Sequence, residues 1–319
     1  MKTKIIVLVL AVQFTFSAWA HEIKDPVTRF TYQRMMLEED DCDACGCSAN
    51  GGGMSFSSML NNNFVGVRYF HQSYSSRDGI FKNSPWIDEN FNTMQVWARV
   101  PVAKNIQIMA LVPYHFHNSE KTAGDQTING IGDITVLGLY NVFQTKSDSA
   151  AVRHQVQLGG GVKAPTGKYD RANNGSVNPS FQVGTGAWDF LLVSEYVIRK
   201  DNFGLNTMLN YTIKTENKQH YQFGNQLNYG STLFYTFSNT KYTWVPQIGV
   251  AGEVYETNRS YGEDLKNTSG DIFFGKLGVE VGLDKFSVGL NAMLPINQNL
   301  TGGLVEANYR FAVNLNYNL

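Results

Sequence analysis

The sequence has no stretch of roughly 18 consecutive apolar residues, the length a membrane-spanning helix needs. Its apolar run near the start, Ile5 to Phe16, falls short, so any crossing of a bilayer must be made by β-strands. Cysteine is scarce: all three lie between Cys42 and Cys47, too few and too local to staple a disulfide framework. Net charge is nearly absent, at -1, which removes the electrostatic reason to expect nucleic acid or a strongly acidic partner. No glycine-rich loop sits between a strand and a helix in the manner of a nucleotide-binding site.

What is present begins with a leader. Lys2 and Lys4 precede the apolar run, and Ala18-Trp19-Ala20 precedes His21, which gives the three parts of a cleavable secretory signal. Residues 1–20 are read as that signal, and the mature chain is expected to begin at His21. Residues 21–63 show no alternation of apolar and polar side chains. Thr28 to Glu39 could form a short helix with Phe30, Met35 and Leu37 as its apolar members, stopped by the acidic run Glu38 to Asp41 and by Gly51-Gly52-Gly53. This segment is read as a periplasmic arm or a plug folded into a barrel mouth, with a mobile tail as the alternative.

From Phe64 the pattern changes to period two, and it is strictest at the end. Tyr309, Phe311, Val313, Leu315, Tyr317 and Leu319 fall on one face of an extended chain, and Asn308, Arg310, Ala312, Asn314, Asn316 and Asn318 on the other, because side chains alternate along a strand. With an aromatic two residues before Leu319, this stretch resembles the terminal strand of bacterial outer-membrane barrels, in which the last residue is most often Phe. That resemblance implies contact with the barrel-assembly machinery through the C-terminal strand. The 30 Gly, 16 Tyr and 20 Phe and a mean hydropathy of -0.24 fit a barrel with one lipid face and one wet face.

Residues 64–319 divide into about twelve alternating segments. The expected strands are Phe64–Gln72, Thr93–Val102, Ile106–His117, Asp133–Phe143, Val152–Lys163, Phe181–Ile198, Phe203–Lys214, Phe223–Phe237, Tyr242–Tyr255, Ile272–Leu283, Phe286–Leu294 and Leu304–Leu319. An even number of this size suits a transmembrane antiparallel up-and-down β-barrel. With both termini in the periplasm, the longer connection of each successive pair is expected outside and the shorter inside. A soluble β-sandwich has no reason to segregate its loops in this way.

The apolar phase of these strands is assigned to lipid, beginning with Val65, Val67 and Tyr69, and aromatic residues near strand ends are expected to form interfacial girdles. The other phase is the lumen. It holds the cations Arg68, Arg99, Arg153, Lys163, Lys214, Lys276 and Arg310 and the anions Asp133, Asp189, Glu195, Glu253 and Glu280, with Trp97 and Phe234 as residues that would narrow it and offer apolar contact. Charged groups inside a barrel need water or a partner. They therefore line an aqueous path or brace neighbouring strands as ion pairs.

Three short pieces carry a more specific likeness: Gly130-Ile131-Gly132-Asp133, Lys163-Ala164-Pro165-Thr166-Gly167 and Gly184-Thr185-Gly186-Ala187-Trp188-Asp189. In this order, with Val112-Pro113-Tyr114 before them, they resemble the outer-membrane family associated with the meta-cleavage pathway of phenol degradation, whose members are usually described as transporters. The resemblance covers the barrel and not the cysteine-bearing arm. It implies passage of small, aromatic or otherwise apolar molecules.

The arm offers other chemistry. Cys42, Cys45 and Cys47 at C-x-x-C-x-C spacing could converge on copper or zinc with a ligand from elsewhere, or form one disulfide in an oxidising compartment. His21 would add an amine and an imidazole, and His115 and His117 share the lumenal face of one strand. Metal-ion handling is therefore the alternative function. A third class is a structural barrel or an outer-membrane hydrolase, since twelve-strand barrels also scaffold a phospholipase. Against the hydrolase, His154 has no Asn-His-x-Ser-Asn-Gly-like segment around it. The reading is thus a non-enzymatic, passive outer-membrane channel for a small-molecule solute, bounded by outer-membrane lipids, with no nucleic-acid partner.

Overall fold

The structure, a computed structural model, describes residues 58–60, 63–79, 81, 83–121, 124–145, 151–239 and 241–319. The expected signal 1–20 and most of the arm, with His21, Cys42, Cys45 and Cys47, lie outside the described residues.

Twelve long strands follow one another: β1 (Phe64–Arg77), β2 (Trp86–Ala103), β3 (Ile106–Ser119), β4 in two parts (Gln126–Ile131 and Ile134–Gln144), β5 (Arg153–Ala164) and β6 (Asp189–Lys200). Then come β7 (Phe203–Lys214), β8 (Gln226–Tyr235), β9 (Tyr242–Tyr255), β10 (Gly270–Leu283), β11 (Phe286–Leu300) and β12 (Val305–Asn318). Each pairs antiparallel with the next. β12 returns to β1 from Phe64↔Asn318 to Ser76↔Val305, which closes the barrel. Closure matters because hydrocarbon offers no hydrogen bonds, so strands cross a bilayer only when their ladders leave no open edge. The helical turns among the described residues are two short ones, Asn173–Gly175 and Thr301–Gly303.

Alternation sorts the side chains as period two requires. On β1, Phe64, Arg68 and Phe70 are buried while Val65 and Val67 stand exposed on the outside. The outer surface carries Val96, Val112, Leu192, Ile248, Leu277, Leu290 and Leu315, an apolar belt that only lipid would cover. Aromatic side chains flank it. Phe203 and Tyr235 meet edge to face at 4.5 Å near one end, as do Phe286 and Tyr317 at 5.1 Å. Tyr69, Phe116 and Phe311 group towards the other end. Amphipathic rings favour both interfaces.

The two ends differ. One, the turn end, holds Asn63, Leu319 and tight turns such as Asp201-Asn202 and Asp284-Lys285, in which Asp201 and Asp284 take left-handed backbone angles of 52° and 50°; Asp adopts that region more readily than most residues. The other, the loop end, holds the connections 165–188, 215–225 and 256–269. Several expectations shift: the second strand begins at Trp86 rather than Thr93, so the first connection shortens to 78–85. The sixth strand begins at Asp189 rather than Phe181, because Phe181 to Trp188 belong to the loop that follows β5. The connection between β3 and β4 also shrinks to 120–125, because β3 and the first part of β4 pair as a hairpin from Tyr114↔Ile131 to Ser119↔Gln126. The turn-end connection after it, 145–152, is the longer of that pair.

Candidate functional site

The inward faces form two unlike arcs. Trp97, Met109, Leu111, Leu137, Leu139, Leu191 and Val193, on β2 to β6, pack with Phe64 and Met208 into one apolar cluster. Further round the ring, β8, β9, β11 and β12 turn in Asn228, Gln247, Asn291, Asn314 and Asn316, all buried, among the apolar Ala251, Met293 and Ala312. The carbonyl oxygens of Gln247, Asn291, Asn314 and Asn316 have no protein partner. Such oxygens need water or a solute, since a buried polar group left unpaired costs about 1–3 kcal/mol.

The expected lumenal charges are spread round the ring, nearly all with partners. Arg68 sits over the Trp97 ring at 4.7 Å and donates to Gln95. Arg99 donates to Gln107 and to Gln157 at 2.7 Å. Asn206 donates to Glu195 at 2.5 Å, and Lys276 to Thr232 at 3.0 Å. Arg310 pairs with Glu253 through two nitrogens at 2.7 and 3.1 Å, donates to the Tyr74 hydroxyl at 2.6 Å, and lies 4.3 Å over Phe274. The Tyr255 hydroxyl donates to Glu253 as well. Arg153 differs from the rest: it is exposed, because β5 starts there at the turn end and the wall no longer shields it.

Both mouths are narrowed. At the turn end Ser58 to Leu60 enter the interior. The Ser58 hydroxyl and the Met59 N–H each donate to Glu280 at 2.6 Å, Ser287 adds a third bond at 2.8 Å, and Met59 packs with Val197, Phe234 and Val245. At the loop end, residues 165–188 fold across. Phe181 is buried edge-on to Phe91 at 5.8 Å, and Ser176 donates to the buried Glu89 at 2.6 Å. Glu89 was not among the expected site residues. The alternation Ile87, Glu89, Phe91, Thr93 could have revealed it, since all four face inward.

The three glycine-bearing pieces meet at this loop. Asp133 accepts the N–H of Gly167 at 2.9 Å and both the N–H and hydroxyl of Thr185. Lys163 reaches Asp189 at 2.5 Å and Asp133 at 3.8 Å, while Lys214 reaches the same Asp189 oxygen at 3.0 Å. The glycines are required by contact. A Cβ on Gly184 would stand 2.4 Å from the carbonyl carbon of Gly167, and one on Gly167 would stand 2.7 Å from the Cα of Gly184. The motif is therefore a clasp between two strand ends and the loop that joins them.

Above the Arg310–Glu253 pair lies a cavity of about 60 Å³, lined by Tyr74, Lys214, Phe223, Gln226, Tyr255 and Leu300 among others. Beside it a small sheet of Tyr221–Gln222, Arg259–Ser260 and Glu263–Asp264 braces the loops. There the Tyr221 hydroxyl takes a bond from Asn258 at 2.8 Å, and burial pushes its pKa up to about 12.

His115 and His117 share the inward face of β3, ring centres 4.9 Å apart, and both are buried. Thr93 bonds His115 and the Asn92 N–H bonds His117. Among the described residues no third His, Cys, Asp or Glu joins them in a metal-binding group. His154 lies on the outer face, 2.7 Å from the Tyr196 hydroxyl.

Residues 90–311 match the model of the family described as "Putative MetA-pathway of phenol degradation". No curated protein matches the chain. Among solved structures, an outer membrane channel from Pseudomonas putida is similar at a TM-score of 0.61 and 14% identity, covering 82% of this chain and 97% of that one. The β domain of the Bordetella autotransporter BrkA is similar at a TM-score of 0.49 and 10% identity, covering 81% of this chain and 99% of that one.

Proposed function

The chain belongs to the phenol-degradation MetA-pathway family, and from that premise we propose that it is a passive outer-membrane channel for small molecules that carry both an apolar and a polar part. The observation that carries this reading is the mixed interior: an apolar cluster from β2 to β6 beside buried amides with unpartnered oxygens on β9, β11 and β12. Water or a passing solute would meet those oxygens, since each costs about 1–3 kcal/mol if left unpaired. A solute with an aromatic or aliphatic side and a hydrogen-bonding side meets complementary surface on both.

The lumenal charges Arg68, Arg99, Lys163, Asp189, Glu195, Lys276, Glu280 and Arg310 would set the field along the path, and Trp97 and Phe234 its apolar contacts. Ser58 to Leu60 and the C-terminal Leu319 lie at the turn end, which in this reading faces the periplasm, so the loop end faces outward. Ser58 to Leu60 then form the periplasmic stopper. The C-terminal strand is the segment offered to the assembly machinery.

The experiment compares liposome uptake of small aromatic and polar solutes by the chain starting at His21 and by one starting at Asn61, which lacks Ser58 and Met59. Uptake is expected from both, faster in the shortened chain. If neither form transports any of the solutes, the channel reading fails.

A further inference from the structure

The cavity at the loop end has a chemical character that general passage does not require. We propose that it is a binding site for a small organic anion with an apolar body, of the aryl carboxylate type, held there before it descends into the lumen; this rests on the channel reading above.

The charge argument comes first. Among the described residues lining the cavity, Lys214 is the charged one, and no carboxylate faces the space. Asp189, to which Lys214 donates at 3.0 Å, lies outside the lining and also receives Lys163 on the same oxygen at 2.5 Å. An ammonium has three N–H donors, and that bond uses one of them. The remaining donors favour an anion, and a charge-assisted bond to a carboxylate is about twice as strong as a neutral one.

The rest of the lining supplies an apolar seat. Phe223, Leu300 and Val305 contribute apolar surface, and Tyr74 and Tyr255 contribute rings whose hydroxyls are already tied to the Arg310–Glu253 pair. Those two rings are held rigid from below, so they present ring surface at little entropic cost. A cationic ligand would find no carboxylate and would be repelled by Lys214. A neutral alcohol would leave the ammonium unused.

The test uses the full chain in detergent, titrated calorimetrically with benzoate, benzyl alcohol and benzylamine. Benzoate is expected to bind at least tenfold more tightly than the other two. Lys214→Met is expected to weaken benzoate at least tenfold and leave benzyl alcohol unchanged. Because Lys214 also holds Asp189, a second variant, Ser269→Trp, fills the cavity from a lining residue outside the ion network and is expected to abolish benzoate binding. Equal affinity for all three probes, or benzoate binding unchanged in both variants, overturns the proposal. Ion current across planar bilayers is recorded from the same preparation. Current without benzoate binding removes the site and leaves the channel, whereas benzoate binding without current removes the channel and leaves the site.

Discussion

Thr185 gives Asp133 both its backbone N–H, at 2.9 Å, and its hydroxyl, at 2.8 Å, on one carboxylate oxygen, while the other oxygen takes Gly167. One side chain at the break in β4 thus holds both ends of the 165–188 loop. In Asp133→Asn one of those positions would present an NH₂ group to an N–H donor and lose its bond, at a cost of about 1–3 kcal/mol. The expected outcome is faster protease cleavage within 165–188, read on folded protein in detergent, with the strands still protected. Unchanged cleavage would mean that Phe181 and Ser176 hold the loop without the clasp.

The contact between Gly167 and Gly184 makes a sharper forecast. Gly184→Ala would push a methyl group to 2.4 Å from the Gly167 carbonyl carbon, backbone against backbone with no flexible end to yield. Gly160→Ala meets nothing closer than 3.6 Å. The first is expected to lower the unfolding midpoint in urea and loosen the loop, and the second to leave both near the parent values. Equal effects would show that the loop shifts freely at the clasp.

Arg310 and Glu253 are buried together, so removing one leaves an unpaired charge. Arg310→Met is expected to destabilise the folded barrel by about 3–5 kcal/mol, and Arg310→Met with Glu253→Gln to recover much of the loss. Chemical unfolding monitored by tryptophan fluorescence checks this. A double variant as unstable as the single one would argue that the stacking on Phe274 and the Tyr74 bond carry the stability instead.

The wall of this barrel was legible in the sequence because lipid imposes a simple rule. Most outward positions in the belt, from Val65 to Leu315, are apolar or aromatic, so alternation located all twelve strands and both faces. The mouth obeyed no such rule. Phe181 continues the alternation of the strand behind it, yet it lies in the loop because Asp133, Thr185 and the paired glycines turn the chain before Asp189. Glu89 sat in a polar run that read as a connection, and only its three hydroxyl partners, Ser76, Ser119 and Ser176, brought from distant segments, explain its burial. Pairings such as Lys163 with Asp189 and Arg310 with Glu253 depend on strand register, which composition does not reveal. The residues Gly167 and Gly184 stood out as a motif, but their reason, two backbones in contact, is a fact of three dimensions.

The loop-end sheet gives a pH dependence with a definite sign. Burial holds the Tyr221 pKa up at about 12, above its ordinary value of 10.0, so the folded state keeps the proton that an unfolded chain gives up sooner. Its contribution to stability is full below pH 10, declines as pH rises through the window between 10 and 12, and is lost above it. Tyr221→Phe removes that dependence along with the bond from Asn258. Absorbance at tyrosinate wavelengths in parent and variant is expected to differ by one group ionising near pH 12. A difference centred near pH 10 would mean the loop opens before the proton leaves.

Glu280 is where the chain's own N-terminal segment is anchored inside the barrel, and it separates stopper from wall. Its carboxylate accepts Ser58, Met59 and Ser287, so Glu280→Ala removes its hold on the entering segment as well as the bond from Ser287. Ser287→Ala leaves the entering segment's bonds in place and removes the last, with the bond that Asn316 donates to its hydroxyl at 3.5 Å. If Ser58 to Leu60 obstruct the path, Glu280→Ala raises the current across planar bilayers towards that of the chain starting at Asn61, while Ser287→Ala stays near the parent. Thermal unfolding of all three controls for damage to the wall, since a weakened barrel would lose its midpoint together with any gain in current. Met59 still packs on Val197, Phe234 and Val245 in Glu280→Ala, so the full effect is expected only when Met59→Ser is added. A double variant that conducts no better than the parent would place the resistance at the loop end, in the span between Glu89 and Asp133 that the 165–188 loop closes.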